Sequence, residues 1–154
     1  MLALAFALGI VAGLRSMTPP AAVAWAAHFG WLSLDATPLG FLGSAVARYA
    51  LLLAMVGELV ADKLPFTPAR TGVGPFTWRV ISGALAGAAL VAGRGGSLAL
   101  GAAAGAFGAV VGTLGGYRAR TGLVRKLRVP DYVIALSEDL IAVGGALLIV
   151  RAGA

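Results

Sequence analysis

Four of the six acidic residues in this chain lie inside apolar stretches, in two groups that are far apart in the sequence. Glu58 and Asp62 are four positions apart, so on a helix both carboxylates lie on one face. Glu138 and Asp139 are adjacent. A charged side chain at the centre of a membrane helix costs about 2.5–3.5 kcal/mol on insertion scales, so such carboxylates need partners and are commonly functional. They predict binding of a proton, an ion or a small polar solute.

Arginines are the expected partners of these carboxylates. Two segments share the pattern G-x-x-x-G-x-R-x-x-T: one ends with Arg15 and Thr18, and the other contains Arg118. In both, an arginine closes a glycine-containing apolar run, as expected for a charge at a membrane boundary. We therefore predict one polar cluster that opens to the cytoplasm. Its members are Arg15, Thr18, Glu58, Asp62, Arg118, Glu138 and Asp139.

Other kinds of site have less support in the sequence. Cysteine is absent and His28 is the only histidine, so only the four carboxylates in apolar runs could hold a metal ion, through oxygen. Ser16 and Ser137 have no adjacent base that would make a nucleophile. We expect no catalytic residue, no cofactor and no dedicated metal site, although a membrane enzyme acting on a lipid-linked substrate stays open as a third reading.

The composition excludes an ordinary soluble domain. Hydrophobic residues make up 60% of the chain and charged residues only 12%, against about 25% charged in soluble domains. The 154 residues are enough for five or six membrane segments of about 20 residues each. The net charge of +6 falls in connections between apolar runs rather than on one soluble face, which argues against nucleic acid as a partner.

Six apolar runs can supply the helices that position the charged side chains. They are 1–14, 19–34, 40–64, 77–93, 97–116 and 132–151. The first two flank Pro19 and Pro20, which end one helix and begin the next, with Thr18 as its N-cap. A 14-residue helix is about 21 Å long, shorter than the hydrocarbon core of a bilayer. Segment 1–34 is therefore a re-entrant hairpin, two short spans or one broken helix.

Glycines mark the helix faces that are expected to pack. Between 97 and 116 they recur at spacings of four and three, and Gly83 with Gly87 and Gly9 with Gly13 repeat the pattern. Small residues let helices approach closely in lipid. Packing within one chain is the favoured role, and a seam between two copies of the chain is the alternative.

The cationic residues predict the orientation. If the chain begins outside, most of them fall on the cytoplasmic face, both termini lie outside, and the long loops 65–76 and 117–131 lie inside. The second loop carries Arg125, Lys126 and Arg128, which we expect to dock anionic lipid headgroups or a partner. An inverted repeat would instead require the two matched segments to face opposite ways.

Four separated motifs combine these polar residues with glycine and proline. They are Gly13-Leu-Arg-Ser-Met-Thr-Pro19, Glu58-x-x-x-Asp62-Lys63-x-Pro65, Pro68-x-Arg70 and Ser137-Glu-Asp139. Together they resemble an uncharacterised bacterial family of small polytopic membrane proteins, a domain of unknown function. The resemblance spans most of the chain and implies an integral membrane protein, but no activity.

These observations predict an all-α, polytopic, glycine-packed membrane bundle of five or six segments, the first two short, forming one integral membrane domain, 1–154, in the bacterial cytoplasmic (inner) membrane. The leading function is transporter- or channel-like, with Glu58 and Glu138 as ion- or proton-responsive groups and Arg15 and Arg118 as counter-charges. The alternative is a non-catalytic accessory protein that docks anionic lipid or a partner through basic loops. The lipid bilayer is the predicted partner, with anionic lipids and a second copy of the chain as further candidates.

Overall fold

The chain is all helical in the computed structural model, which describes residues 1–62, 72–127 and 131–153 and, within them, no side chains at 123–127 and 131–133. Six α-helices and no strand occur in these residues, which confirms the predicted all-α class. The helices are α1 (Leu2–Leu14), α2 (Thr18–His28), α3 (Ala45–Ala61), α4 (Val73–Ala92), α5 (Leu98–Leu127) and α6 (Asp131–Ala152), with a 3₁₀ helix, Gly40–Gly43, before α3.

Helices α1, α4 and α5 form the tightly packed centre of the bundle, where glycines allow backbone to meet backbone. A Cβ atom added to Gly9 would overlap the carbonyl oxygen of Gly105, and one added to Gly105 would overlap that of Gly83. Further along both helices, Gly13 lies against Gly112, so α1 and α5 run parallel. Helices α4 and α5, in contrast, run antiparallel.

Consecutive helices run in opposite directions, so the bundle has two distinct ends. At the first end, which we call the terminal end because both chain termini lie there, Arg94 Nε donates to the carbonyl oxygen of Gly153 at 2.5 Å. The guanidinium of Arg151 lies 5.4 Å from the ring centroid of Trp31 at the same end. The opposite end, the site end, holds the turn between α1 and α2 and the beginnings of α4 and α6.

Two predicted boundaries are wrong. The loop 117–131 is mostly helix, because α5 continues to Leu127. No proline precedes Pro130 in this stretch, and its leucines, arginines, lysine and single alanine favour helix, so the isolated Gly122 does not end it. Thr18 is not the N-cap of α2: Met17 takes that position, and Thr18 is the first helical residue.

Among the described helices, two are long and apolar enough to cross a membrane. They are α4, with 20 residues, and the first 25 residues of α5, Leu98–Gly122. Helices α1 and α2 are shorter, with 13 and 11 residues. Their lengths of about 20 and 17 Å make them a short hairpin beside the longer helices.

Candidate functional site

The turn of the α1–α2 hairpin lies inside the bundle, and charged side chains from α3, α4 and α6 converge on it. Arg15, Ser16 and Thr18 are 0%, 6% and 2% exposed. Gly116 of α5 packs beside Leu14, the last residue of α1, and α5 continues for about 16 Å beyond this contact. The turn therefore does not reach the end of the bundle. The first part of the chain is therefore a helical hairpin with a buried turn, and not one broken helix that runs in a single direction.

Glu58, near the end of α3, caps the N-terminal end of α2. Its carboxylate accepts hydrogen bonds from the backbone N–H of Ser16 and of Met17, both at 2.8 Å, and from the Ser16 hydroxyl at 2.7 Å. These N–H groups precede the first turn of a helix and have no acceptor within it. A carboxylate there also faces the positive end of the helix dipole, so Glu58 stabilises the turn both through its hydrogen bonds and through its charge.

Arg79 and Ser82 of α4 satisfy the other half of the turn. Arg79 Nη1 donates to the carbonyl oxygens of Gly13 and Leu14, both at 2.8 Å, where α1 ends and its last carbonyls are free. The Ser82 hydroxyl donates to the carbonyl oxygen of Ser16. Arg79 Nη2 also lies 3.9 Å from Glu58 Oε1, so the charges that meet the two helix ends attract each other.

The guanidinium of Arg15 lies between two aspartates from different helices. Its Nη1 pairs with Asp62 Oδ2, at the end of α3, and its Nη2 lies 2.5 Å from Asp139 Oδ1 of α6. The aspartate side chains are 12% and 10% exposed, whereas Arg15 is fully buried. We call Arg15, Asp62 and Asp139 the arginine triad. A buried arginine needs such partners because desolvation of an unpaired charge is very costly.

The predicted site residues do not all meet. Glu138 pairs instead with Arg120 of α5, with Nη1 and Oε2 3.3 Å apart. Arg118 is exposed and makes no ion pair in the described part of the chain. It precedes Arg120 by two residues on the same helix, so its side chain points in a different direction from that of Arg120, which pairs with Glu138. Thr18 lies at the turn, but its hydroxyl is buried without a hydrogen-bond partner there.

The predicted docking residues fall mainly outside the described structure. Arg125 and Lys126 belong to the last turn of α5, where the side chains are not described, and Arg128 lies outside the described residues. Arg79 and Ser82, in contrast, are site residues that the sequence prediction did not include. Their signal was available: an arginine and a serine three positions apart form a polar stripe on an otherwise apolar helix.

The described residues of the cluster carry one carboxylate more than they have guanidinium groups. Glu58, Asp62 and Asp139 face Arg15 and Arg79. Carboxylates grouped at a buried turn are candidates to bind a proton or a cation. No group of three or more histidine, cysteine or acidic residues with the arrangement of metal ligands occurs in the described ranges.

An open cavity of about 490 Å³ extends along α6 and reaches this cluster. Its described lining consists of Leu136, Ser137, Asp139, Leu140 and Val143. The cavity is largely apolar, and Asp139 is its only lining carboxylate among these residues. A solute that enters along α6 would therefore meet the arginine triad through Asp139.

Fold and site together define a small all-helical protein organised around a buried, charged helical hairpin. A family described as a domain of unknown function (DUF4126) matches residues 2–153, so the chain belongs to that family. Neither a curated protein nor a solved structure matches the chain. The predicted resemblance to a family of unknown function is thereby confirmed, and the chemistry has to be inferred from the site itself.

Proposed function

We propose that the chain is a multi-pass membrane protein that transports a proton or a small cation through the arginine triad. The α1–α2 hairpin enters the membrane from the terminal end as a re-entrant element, and the longer helices cross it. Besides α4 and α5, α3 and α6 have 17 and 22 residues and lengths of about 26 and 33 Å, which suit a bilayer core. A buried turn with satisfied backbone groups is the form in which a re-entrant hairpin is tolerated at membrane depth.

The outward surface of the bundle supports a lipid environment. Large apolar side chains on α3, α5 and α6 face away from the protein, with Leu53 72%, Phe107 64% and Leu148 70% exposed. Soluble monomers rarely expose extended apolar surface of this kind. The charged groups, in contrast, face inward around the hairpin turn, which is where intramembrane charges are placed when they have a function.

The distribution of positive charge supports a cytoplasmic location for the site end. Arg79, Arg118 and Arg120 lie towards this end, and the sequence between α3 and α4 adds Lys63 and Arg70. The terminal end carries fewer arginines: Arg48, Arg94 and Arg151. Short cytoplasmic connections are the ones that retain lysine and arginine.

One observation carries the transport proposal: three carboxylates and two guanidinium groups converge on a buried turn beside an open cavity. Asp139 binds the proton or cation, because it borders the cavity. Arg15 holds the empty site together by bridging Asp62 and Asp139. Arrival of a cation weakens that bridge, so occupancy is coupled to the position of α6 against the hairpin.

The proposal is tested by ion flux with Asp139→Asn and its neighbour Glu138→Gln as matched variants. Purified protein is reconstituted into vesicles of phosphatidylethanolamine and phosphatidylglycerol, and H⁺, Na⁺ and K⁺ gradients are followed with indicator dyes. Asp139→Asn should abolish flux, whereas Glu138→Gln should retain it because Glu138 belongs to a separate pair with Arg120. Wild-type protein that dissipates none of the three gradients, or full flux in Asp139→Asn, contradicts the proposal.

An accessory protein without transport activity is the second candidate, and the dense pairing at the turn favours it. Every charged group of the hairpin site contacts another helix, as a purely structural clamp requires. This candidate predicts that Asp139→Asn lowers the stability of the fold while no ion gradient is dissipated by any variant. The same vesicle experiment, combined with thermal unfolding of the variants, separates the two functions.

A further inference from the structure

A third buried arginine, Arg48, lies at the terminal end, away from the hairpin site, and no acidic partner for it occurs among the described residues. Arg48 is in the first turns of α3 and is 9% exposed. Its Nε is buried without a hydrogen-bond partner, and no ion pair joins Arg48 to a carboxylate among the described residues. A buried guanidinium with an unused N–H donor is suited to a ligand of opposite charge.

Aromatic rings hold this guanidinium in place. Its Cζ lies 5.2 Å from the ring centroid of Trp25 and 5.0 Å from that of Tyr49, and these two rings are perpendicular with centroids 6.0 Å apart. Cation–π contacts orient the planar group without using its N–H donors. Arg48 is thus pre-organised to receive a planar or tetrahedral anion that can accept two hydrogen bonds.

The N-terminal end of α3 adds to the positive potential at this position. The first turn contains no acidic residue, and the Ser44 side chain caps only the backbone N–H of Ala47, at 3.1 Å. The other N–H groups of the first turn have no acceptor within the helix. Side chains on a helix lean towards its N-terminus, so Arg48 extends towards these free N–H groups. Ser44, Ala45 and Val46 are exposed, which leaves the approach to them open.

We propose that Arg48 and the first turn of α3 bind the phosphate of a phospholipid headgroup. The surrounding rings favour a lipid over a free anion as the source of this phosphate. Trp25, Phe29 and Trp31 form a continuous series with centroid separations of 5.7 and 5.4 Å at the terminal end. Tryptophan and tyrosine concentrate where acyl chains meet headgroups, so acyl chains can pack on the rings while the phosphate reaches Arg48.

The lipid site rests on the proposed membrane location, but not on transport through the arginine triad. It is tested by native mass spectrometry of the full chain in detergent after mixing with phosphatidylglycerol or with diacylglycerol of the same acyl chains. Wild-type protein should retain phosphatidylglycerol and release diacylglycerol. Arg48→Gln should retain about tenfold less phosphatidylglycerol, the effect expected from losing one charge-assisted contact. Arg118→Gln, at an exposed arginine of the site end, is the matched control and should retain as much as wild type.

Two further variants keep the test valid if Arg48→Gln fails to fold. Arg48→Lys preserves the charge but loses the planar set of N–H donors, and Tyr49→Leu removes one of the two rings that hold the guanidinium. Both variants should retain an intermediate amount of lipid. Equal retention by Arg48→Gln and wild type, or retention of diacylglycerol as strong as that of phosphatidylglycerol, overturns the site. Complete displacement of the lipid by inorganic phosphate assigns the site to a free anion and overturns the lipid proposal. Because lipid retention is measured without ion flux, it can succeed or fail independently of the Asp139→Asn experiment.

Discussion

Ser16 and Glu58 are 42 positions apart in the sequence, yet one oxygen of the Glu58 carboxylate accepts both the hydroxyl and the backbone N–H of Ser16. This contact ties the end of α3 to the turn of the α1–α2 hairpin. Elsewhere α3 packs mainly against α2, so its position at the site end depends on the polar contacts of Glu58 and Asp62. The charged groups at the turn therefore hold a helix in place as well as forming a candidate binding site.

Replacing Glu58 should destabilise the fold more than replacing Ser16. Glu58→Ala leaves the buried N–H groups of Ser16 and Met17 without an acceptor, and each hydrogen bond to a charged group contributes about 1.5–3 kcal/mol. We expect the free energy of unfolding to fall by about 3 kcal/mol or more for Glu58→Ala. Ser16→Ala removes only the hydroxyl contact and should cost about 1 kcal/mol. Unfolding in mixed micelles, followed by circular dichroism, measures both, and equal losses would contradict a capping role for Glu58.

Arg15 should be essential for stability only while its aspartates are charged. Arg15→Met removes the guanidinium that Asp62 and Asp139 share at the buried turn, and breaking a buried pair by removing one partner costs about 3–5 kcal/mol. The single variant should therefore unfold much more readily than wild type in the same micelle assay.

The matched control for this prediction removes all three charges together. In Arg15→Met with Asp62→Asn and Asp139→Asn, the two carboxylates that faced the guanidinium are also neutral, so most of the lost stability should return. A triple variant that is less stable than Arg15→Met alone would show that the triad does not behave as one coupled unit. The triple variant should also be inactive in the vesicle assay, because the Asp139 carboxylate at the cavity is gone.

Glycine at the centre of the bundle should be irreplaceable, whereas glycine elsewhere on the same helix should not. An added methyl group at Gly105 meets the backbone of Gly83, which cannot move aside as a flexible side chain would. We expect Gly105→Ala to lower the free energy of unfolding by about 3 kcal/mol. At Gly115, also in α5, a Cβ atom meets nothing within 4 Å. Gly115→Ala should be neutral or stabilising by up to about 1 kcal/mol, because alanine is the better helix former.

The helical class and the residues at the hairpin turn could be predicted from the sequence, because carboxylates inside apolar runs require partners. Their exact pairing could not. Adjacent residues on a helix differ by about 100° in direction, so Glu138 and Asp139 point to different neighbours. Only the rotation of α6 in the bundle decides which of them meets Arg15, and that rotation depends on close packing contacts that the sequence pattern does not specify.

The same reasoning explains the arginines of α5. A helix that ends at 116 would have left Arg118 free to turn inward, but α5 continues and fixes Arg118 and Arg120 about 200° apart. The polar stripe on α4 can mark Arg79 as a site residue, but it does not identify the partners of Arg79. In the structure its partners are backbone carbonyls at the end of α1, which no side-chain pairing rule could indicate.

The two ends of the bundle should face opposite sides of the membrane, and the absence of cysteine makes this simple to test by labelling. Ser33 and Ser97 are exposed at the terminal end, whereas Thr121 is exposed at the site end. Single cysteines at Ser33 and Ser97 should react with an impermeant maleimide on intact cells, and a cysteine at Thr121 should react only after the membrane is opened. A cysteine at Ser16 should react slowly even then, because the turn is buried. Labelling of Ser33 and Thr121 from the same side would contradict both the antiparallel bundle across the membrane and the cytoplasmic site that depends on it.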